Sequence, residues 1–96
     1  MAAYLVVEAK VQDAQAYEIY KKLAQTAIAA YGGRYLVRGG PVETIEGDWT
    51  PPERLVIVEF DSVEAAKQFY DSPEYRAARL ARENAASMNM LVVGGV

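Results

Sequence analysis

Residues with apolar side chains alternate along the first stretch of the chain, Ala3 to Val11. Leu5, Val7 and Ala9 point one way, and Tyr4, Val6 and Glu8 the other. Both sets are mostly apolar, which predicts a strand covered on both faces. Asp13 offers a helix N-cap. From Ala14 to Tyr31 the spacing lengthens to steps of three and four, through Tyr20, Leu23, Ala24, Ala27, Ile28 and Tyr31. Glu18, Lys21, Lys22 and Gln25 take the other side, with Glu18 placed to pair with Lys22. Gly32 or Gly33 ends this helix in the left-handed conformation.

A period of two returns from Gly33 to Arg38, with Arg34, Leu36 and Arg38 on one face and Tyr35 and Val37 on the other. Gly39-Gly40-Pro41 predicts a bulge or bend, after which Val42 to Glu46 resumes an extended run. The prolines of Gly47-Asp48-Trp49-Thr50-Pro51-Pro52 place a turn there. Arg54 to Phe60 is rich in branched residues and predicts a third strand. Asp61 with Glu64 resembles a capping box opening a helix that carries Ala66, Phe69 and Tyr70 inward. Ser72 and Pro73 restart a turn or second helical segment, whose apolar stripe is Tyr75, Ala78, Ala81 and Ala85. Arg76, Arg79 and Arg82 then lie outward as a solvated basic face. Met88 to Val93 closes the chain as a fourth strand.

The order strand, helix, strand, strand, helix, strand is the ferredoxin-like β-α-β-β-α-β pattern of the α+β class. It predicts a four-stranded antiparallel sheet in the order fourth, first, third, second, with helices on one face. Two helices cannot cover both faces. The open face is expected to pack on a second copy, giving a homodimer with a barrel-like core.

At 96 residues, the chain is expected to form a single domain over 1–96. Its 52% hydrophobic content is high for that size, which fits apolar surface set aside for an interface. The net charge of -3 argues against nucleic acid as a partner, since phosphates need a basic field. No run of apolar residues is long enough to span a membrane, and the first residues do not read as a signal peptide. Cysteine and histidine are both absent, which excludes Ser-His and Cys-His catalysis and zinc sites built on thiolate or imidazole. The expectation is a cytoplasmic protein with no metal and no cofactor.

Strand phase supplies the candidate chemistry. If Phe60, Val58 and Val56 face the helices, then Glu59 and Leu55 face the open side, and Glu8 joins them from the first strand. Arg34 and Arg38 are expected on that same side, Arg34 near Glu59 and Arg38 near Glu8. Such a set either holds an anionic substrate or forms an ion-pair network that fixes dimer register. In an enzyme, Arg38 would hold the anion and Glu8 or Glu59 would move a proton. Separately, Tyr17, Tyr20, Tyr35, Trp49 and Tyr70 could line a pocket for a small aromatic or lipophilic molecule, or serve as ordinary core aromatics. A cofactor-free isomerase or monooxygenase-like enzyme on a small anionic or aromatic substrate is one alternative. A non-enzymatic structural or partner-binding dimer is the other.

The strings YGGRYLVRGG, EGDW-x-P, R-L-V-x-V-E-F and A-x-x-F-Y-D-S-P-E-Y span most of the chain. As a set the sequence resembles the domain of unknown function thirteen-thirty family, in the dimeric α+β barrel superfamily. The resemblance implies a ferredoxin-like protomer, a homodimer and no established activity. The wider superfamily includes cofactor-free monooxygenases, muconolactone isomerase-like enzymes and haem-binding degraders. Haem binding there relies on an axial histidine, which this chain does not have.

Overall fold

The first strand, β1 (Ala3–Val11), forms where the period-two pattern predicts it. The structure, a computed structural model, describes residues 1–96. Asp13 caps α1 (Ala14–Ala30), its side chain accepting from the Ala16 N–H at 3.1 Å. Tyr31 ends the helix rather than belonging to it, and Gly32, with φ +78°, supplies the left-handed residue. Glu18 pairs with Lys21 at 2.7 Å, one residue nearer than the expected Lys22.

Strand β2 is Arg34–Arg38 and β3 is Arg54–Phe60. The segment between them forms no ladder, so the extended run expected at Val42 to Glu46 has no strand partner. The turn falls at 46–48, with Gly47 at φ +84° and the Thr44 hydroxyl donating to the Trp49 carbonyl at 2.7 Å. The second helical region is two helices, α2 (Val63–Tyr70) and α3 (Pro73–Ala81). Ser62, not Asp61, caps α2, accepting from the Ala65 N–H at 3.0 Å. Ser72 caps α3 with Pro73 in its first turn, accepting from the Tyr75 N–H while donating to the Phe69 carbonyl at 2.7 Å. This buried hydroxyl fixes the angle between the two helices. Strand β4 is Ala86–Gly94.

All pairings are antiparallel, in the order β2-β3-β1-β4, the ferredoxin-like topology. Registers set the two faces. Ala3 opposes Phe60, Leu5 opposes Val58 and Val7 opposes Val56, and this side carries the core. On β4, Val92, Met90 and Met88 join it opposite Leu5, Val7 and Ala9. The other face shows Tyr4, Val6 and Glu8 beside Glu59, Ile57 and Leu55, with Val93, Leu91 and Asn89 next to them. No helix covers this face, and the molecule is only 16 Å thick against 38 and 37 Å in its other dimensions.

One irregularity changes the site. Strand β2 carries a bulge between Tyr35 and Val37. Arg34 opposes Glu59 and Tyr35 opposes Val58, but the partners then shift: Val37 opposes Ile57 and Arg38 opposes Val56. The extra residue, Leu36, reverses the phase of Val37 and Arg38. Arg38 therefore belongs to the helix-facing side with Tyr35, not to the open side with Arg34 and Glu8 as strict alternation predicts. The bulge also precedes the Gly39-Gly40 pair where it was expected; Gly39 has φ +78° and donates to the Leu55 carbonyl.

Gly32 and Gly33 are glycines for different reasons. A Cβ on Gly32 meets nothing, and only its positive φ favours glycine. A Cβ on Gly33 would lie 2.7 Å from Ile28 Cγ2 and 2.9 Å from the Phe60 ring, both in the core. Gly32→Ala should cost about 1 kcal/mol of backbone strain. Gly33→Ala should cost more, about 1–3 kcal/mol, because two packed side chains must move. Urea unfolding of both variants checks this ranking, and equal costs would mean the core gives way at Gly33.

Candidate functional site

Strand phase and helix period bring a cluster of aromatic hydroxyls between the helix layer and the sheet. Tyr17 and Tyr20 come from the buried side of α1, one turn apart, with ring centroids 5.4 Å apart. Tyr75 comes from the first turn of α3, fixed by the Ser72 cap, and is 1% exposed. The Tyr20 and Tyr75 hydroxyls lie 2.7 Å apart and share one hydrogen bond. Phe69 stacks on Tyr75 at 4.4 Å and on Phe60 at 5.3 Å, tying this pair to α2 and β3.

A cleft of about 40 Å³ opens between α1 and strands β2 and β3, lined by Tyr17, Tyr20, Tyr35 and Tyr75. Its charged lining groups are Lys21, Arg38 and Arg54, with no carboxylate among them. Arg38 donates to the Gln25 side chain at 3.1 Å and lies 4.5 Å over the Tyr35 ring. Arg54 lies 5.7 Å from the Tyr17 ring centre and against the backbone of Gly39, and its Nε is buried with no hydrogen-bond partner. As it stands the cleft holds about one water, whose share of liquid volume is ~30 Å³.

A groove of about 320 Å³ runs between α2 and β4. Tyr70, Arg82, Met88 and Met90 are among its walls. Tyr70 is thus not an inward core residue: it is 37% exposed, and the Arg79 guanidinium sits 4.1 Å over its ring. Trp49 stands apart from the other aromatics. It is 80% exposed on the loop before β3 and walls a cleft on the open sheet face with Val6, Leu55 and Leu91.

The charged residues divide between the two faces. Arg34 donates through Nε to Glu59 at 3.1 Å and reaches Asp61 at 3.4 Å, the pairing expected on the open face. Glu8 is on that face too, but its partner is the Asn89 amide at 2.7 Å. Arg38, turned to the other side by the bulge, is separated from Glu8 and Glu59 by the sheet. Within one protomer, an anion held by Arg38 cannot exchange a proton with either carboxylate. The structure thus undoes that pairing of roles and leaves Arg34 and Glu59 as an ion pair.

Two arginines at these cavities escaped the sequence reading, although their spacing points to them. Arg54 continues the series 56, 58, 60 by a step of two, which puts it on the helix-facing side. Arg82 comes after Tyr75 and Ala78 at steps of three and four, the buried face of α3. Charge alone predicts solvent for both, and the structure instead half-buries them. Arg82 in fact lies 5.7 Å from the Tyr20 ring centre.

This arrangement defines a class: an antiparallel α+β protein with its aromatic and cationic groups between helices and sheet, and one bare sheet face. The chain belongs to the family described as Domain of unknown function (DUF1330), whose model matches residues 2–96. No curated protein matches it. Among solved structures, it is similar to a protein of unknown function from Rhodopseudomonas palustris, with a TM-score of 0.76 and 18% identity over 99% of this chain and 82% of that one. It is also similar to SnoaB, a cofactor-independent oxygenase from Streptomyces nogalater, at TM-score 0.68 and 9% identity, covering 99% and 93%. A dimeric protein of unknown function with a ferredoxin-like fold from Bacteroides fragilis aligns at TM-score 0.58 and 17% identity, covering 96% and 94%. At these identities the likeness is one of fold. No helix is long and apolar enough to cross a membrane.

Burial gives the tyrosines a common direction. Desolvation of the phenolate pushes Tyr20, Tyr35 and Tyr75 above the ordinary 10.0. For Tyr20, the neighbouring Tyr75 adds to the rise; for Tyr75, the Tyr20 hydroxyl and the Arg82 guanidinium partly offset it. All three are neutral hydrogen-bond donors near neutral pH. The unfolded chain ionises near 10 while the folded chain keeps its protons. Stability from these groups is therefore full below that pH and lost as pH rises beyond it. Urea midpoints measured between about pH 8 and 11.5 should stay level up to about 10 and then fall. Replacing Tyr20 and Tyr75 together by Phe should flatten the fall; an unchanged slope would assign it to other groups.

Proposed function

We propose that this chain is a homodimeric small-molecule-binding protein, and that its ligand is a small organic anion held in the tyrosine cleft between α1 and the sheet. The observation that carries this reading is the cleft's charge. A chain of net charge -3 lines this cleft with Lys21, Arg38 and Arg54 and no acidic residue; Lys21 is paired with Glu18 at 2.7 Å, which leaves the two arginines as the cleft's cations without an ion-pair partner. Arg54 forms no ion pair within the chain, and a carboxylate or enolate that reaches its guanidinium would give it one. Tyr17, Tyr20 and Tyr35 offer faces for a planar body and hydroxyls for an oxygen. At about 40 Å³ the cleft must widen to take such a ligand, by side-chain changes of the kind binding commonly brings.

The dimer rests on the bare sheet face. Val6, Leu55, Ile57 and Leu91 form an apolar strip between the Arg34–Glu59 pair at one end and the Glu8–Asn89 pair at the other. An uncovered apolar strip with a polar rim suits an isologous contact. The Bacteroides fragilis neighbour, described as dimeric, supports the same state.

A cofactor-free enzyme acting in the same cleft is a second reading, favoured by the Tyr20–Tyr75 hydroxyl pair on its wall and by the name of the SnoaB neighbour. Neutral hydroxyls at that point would stabilise a developing oxyanion rather than remove a proton.

Two measurements test the proposal. Titration with 4-hydroxybenzoate should show binding that its neutral amide lacks, and Arg54→Gln should weaken it by about tenfold or more. Equal binding of acid and amide, or no loss in Arg54→Gln, would sink the anion site. Leu55→Asp should give a monomer in sedimentation with the helical signal intact. A dimer that survives it would move the interface off the open face.

A further inference from the structure

The groove between α2 and β4 shares Leu5 and Met88 with the tyrosine cleft as walls, and of the aromatic residues expected to line a pocket only Tyr70 borders it. Its volume, about 320 Å³, is within the range of ordinary small-molecule sites, which begins at ~300 Å³. Its walls are chemically sorted. Leu5, Ala66, Met88, Met90 and Val92 make an aliphatic and thioether surface. The polar lining groups are Lys67, Tyr70, Asp71 and Arg82.

Arg82 shares with Arg54 and Arg79 a buried Nε without a partner, and of the three it alone lines the groove. It comes directly after α3 and is half-buried, with its guanidinium 5.7 Å from the Tyr20 ring centre. Its Nε is buried and has no hydrogen-bond partner, and none of the chain's ion pairs includes it. A half-buried guanidinium with no ion-pair partner is costly, and an anion in the groove that reaches its terminal N–H groups lowers that cost. The neighbouring Tyr75 hydroxyl is neutral and cannot supply that charge.

We propose that this groove is a second ligand site, taking an anion with an aliphatic body: the anionic head on Arg82, the body along Met88, Met90 and Val92. The thioethers suit such a body because they are unbranched and adapt to its shape. Asp71, on the same wall, disfavours a second negative charge and selects a monoanion. The proposal rests on the reading that this chain binds small organic anions, and assigns the longer, more apolar ones to the groove.

The test uses the full chain labelled with carbon-13 on its methionine methyls. The probes are octanoate, octanol and octylammonium. Met90 lines the groove, and Met1, 86% exposed at the chain start, serves as a control. Octanoate should move the Met90 methyl signal and leave Met1 in place, with octanol and octylammonium binding at least about tenfold more weakly. Arg82→Gln should weaken octanoate by a similar factor while 4-hydroxybenzoate still binds; Arg82→Lys should recover part of the loss. If Arg82→Gln does not fold, the comparison of the three probes on the unaltered chain decides alone. A still Met90 signal, or equal affinity for the three probes, overturns the groove site. In that case 4-hydroxybenzoate binding that depends on Arg54 leaves the tyrosine cleft standing. If neither anion binds, both proposals fall.

Discussion

Everything between the helices and the sheet hangs on one short contact, the hydrogen bond between the Tyr20 and Tyr75 hydroxyls. It joins α1 to α3 at a depth where neither group has ready access to water, so each must satisfy the other. Ser72 sets where Tyr75 enters, since its buried hydroxyl both ends α2 and starts α3. Phe69 and Phe60 then carry the packing through to β3. The pair lines the tyrosine cleft, and Leu5 and Met88 are the walls that this cleft shares with the α2–β4 groove.

Arginine planes finish the surface around this core. Arg38, Arg54, Arg79 and Arg82 each lie over a tyrosine ring, between 4.1 and 5.7 Å from its centre. Such stacking is worth ~0.5–2 kcal/mol and tolerates partial burial because the guanidinium is weakly hydrated. It does not satisfy the N–H groups in the guanidinium plane, which is why Arg54, Arg79 and Arg82 each keep a buried Nε without a partner. Stacking fixes the planes, and the free edges are then aimed donors. Lysine at these positions would give the charge without the fixed direction.

Much of the architecture was legible in the sequence, and the reasons are specific. The period-two runs of β1 and β3 are long and unbroken, so their ends and their faces both came out as observed. The change of period after Asp13 and the Ser72-Pro73 pair marked helix starts for equally local reasons. The bulge in β2 was not legible, because Tyr35, Leu36 and Val37 are all good strand residues and nothing among them signals an extra residue. The nearby glycines drew attention to the wrong place. Arg54 and Arg82 were legible by spacing and were discounted by charge. Ser62 and Asp61 are both sound caps, and only the helix start decides between them.

The bulge has a chemical consequence greater than its size. Without it Arg38 would share the open face with Glu8 and Arg34, and that face would hold two arginines and two glutamates. With it, the sheet sorts charge. Arg38 and Arg54 go to the helix side, and the sheet carboxylates Glu59 and Glu8 stay on the open side, each already bonded: Glu59 to Arg34, and Glu8 to Asn89. A paired carboxylate on a face that meets a second copy can fix register at little cost in desolvation, because its partner travels with it. An unpaired arginine on the same face would have to find its anion in the other protomer. Moving Arg38 across the sheet by one inserted residue removes that cation from the open face and adds a donor to the cleft. The single residue Leu36 thus separates a surface suited to self-association from an interior suited to anions.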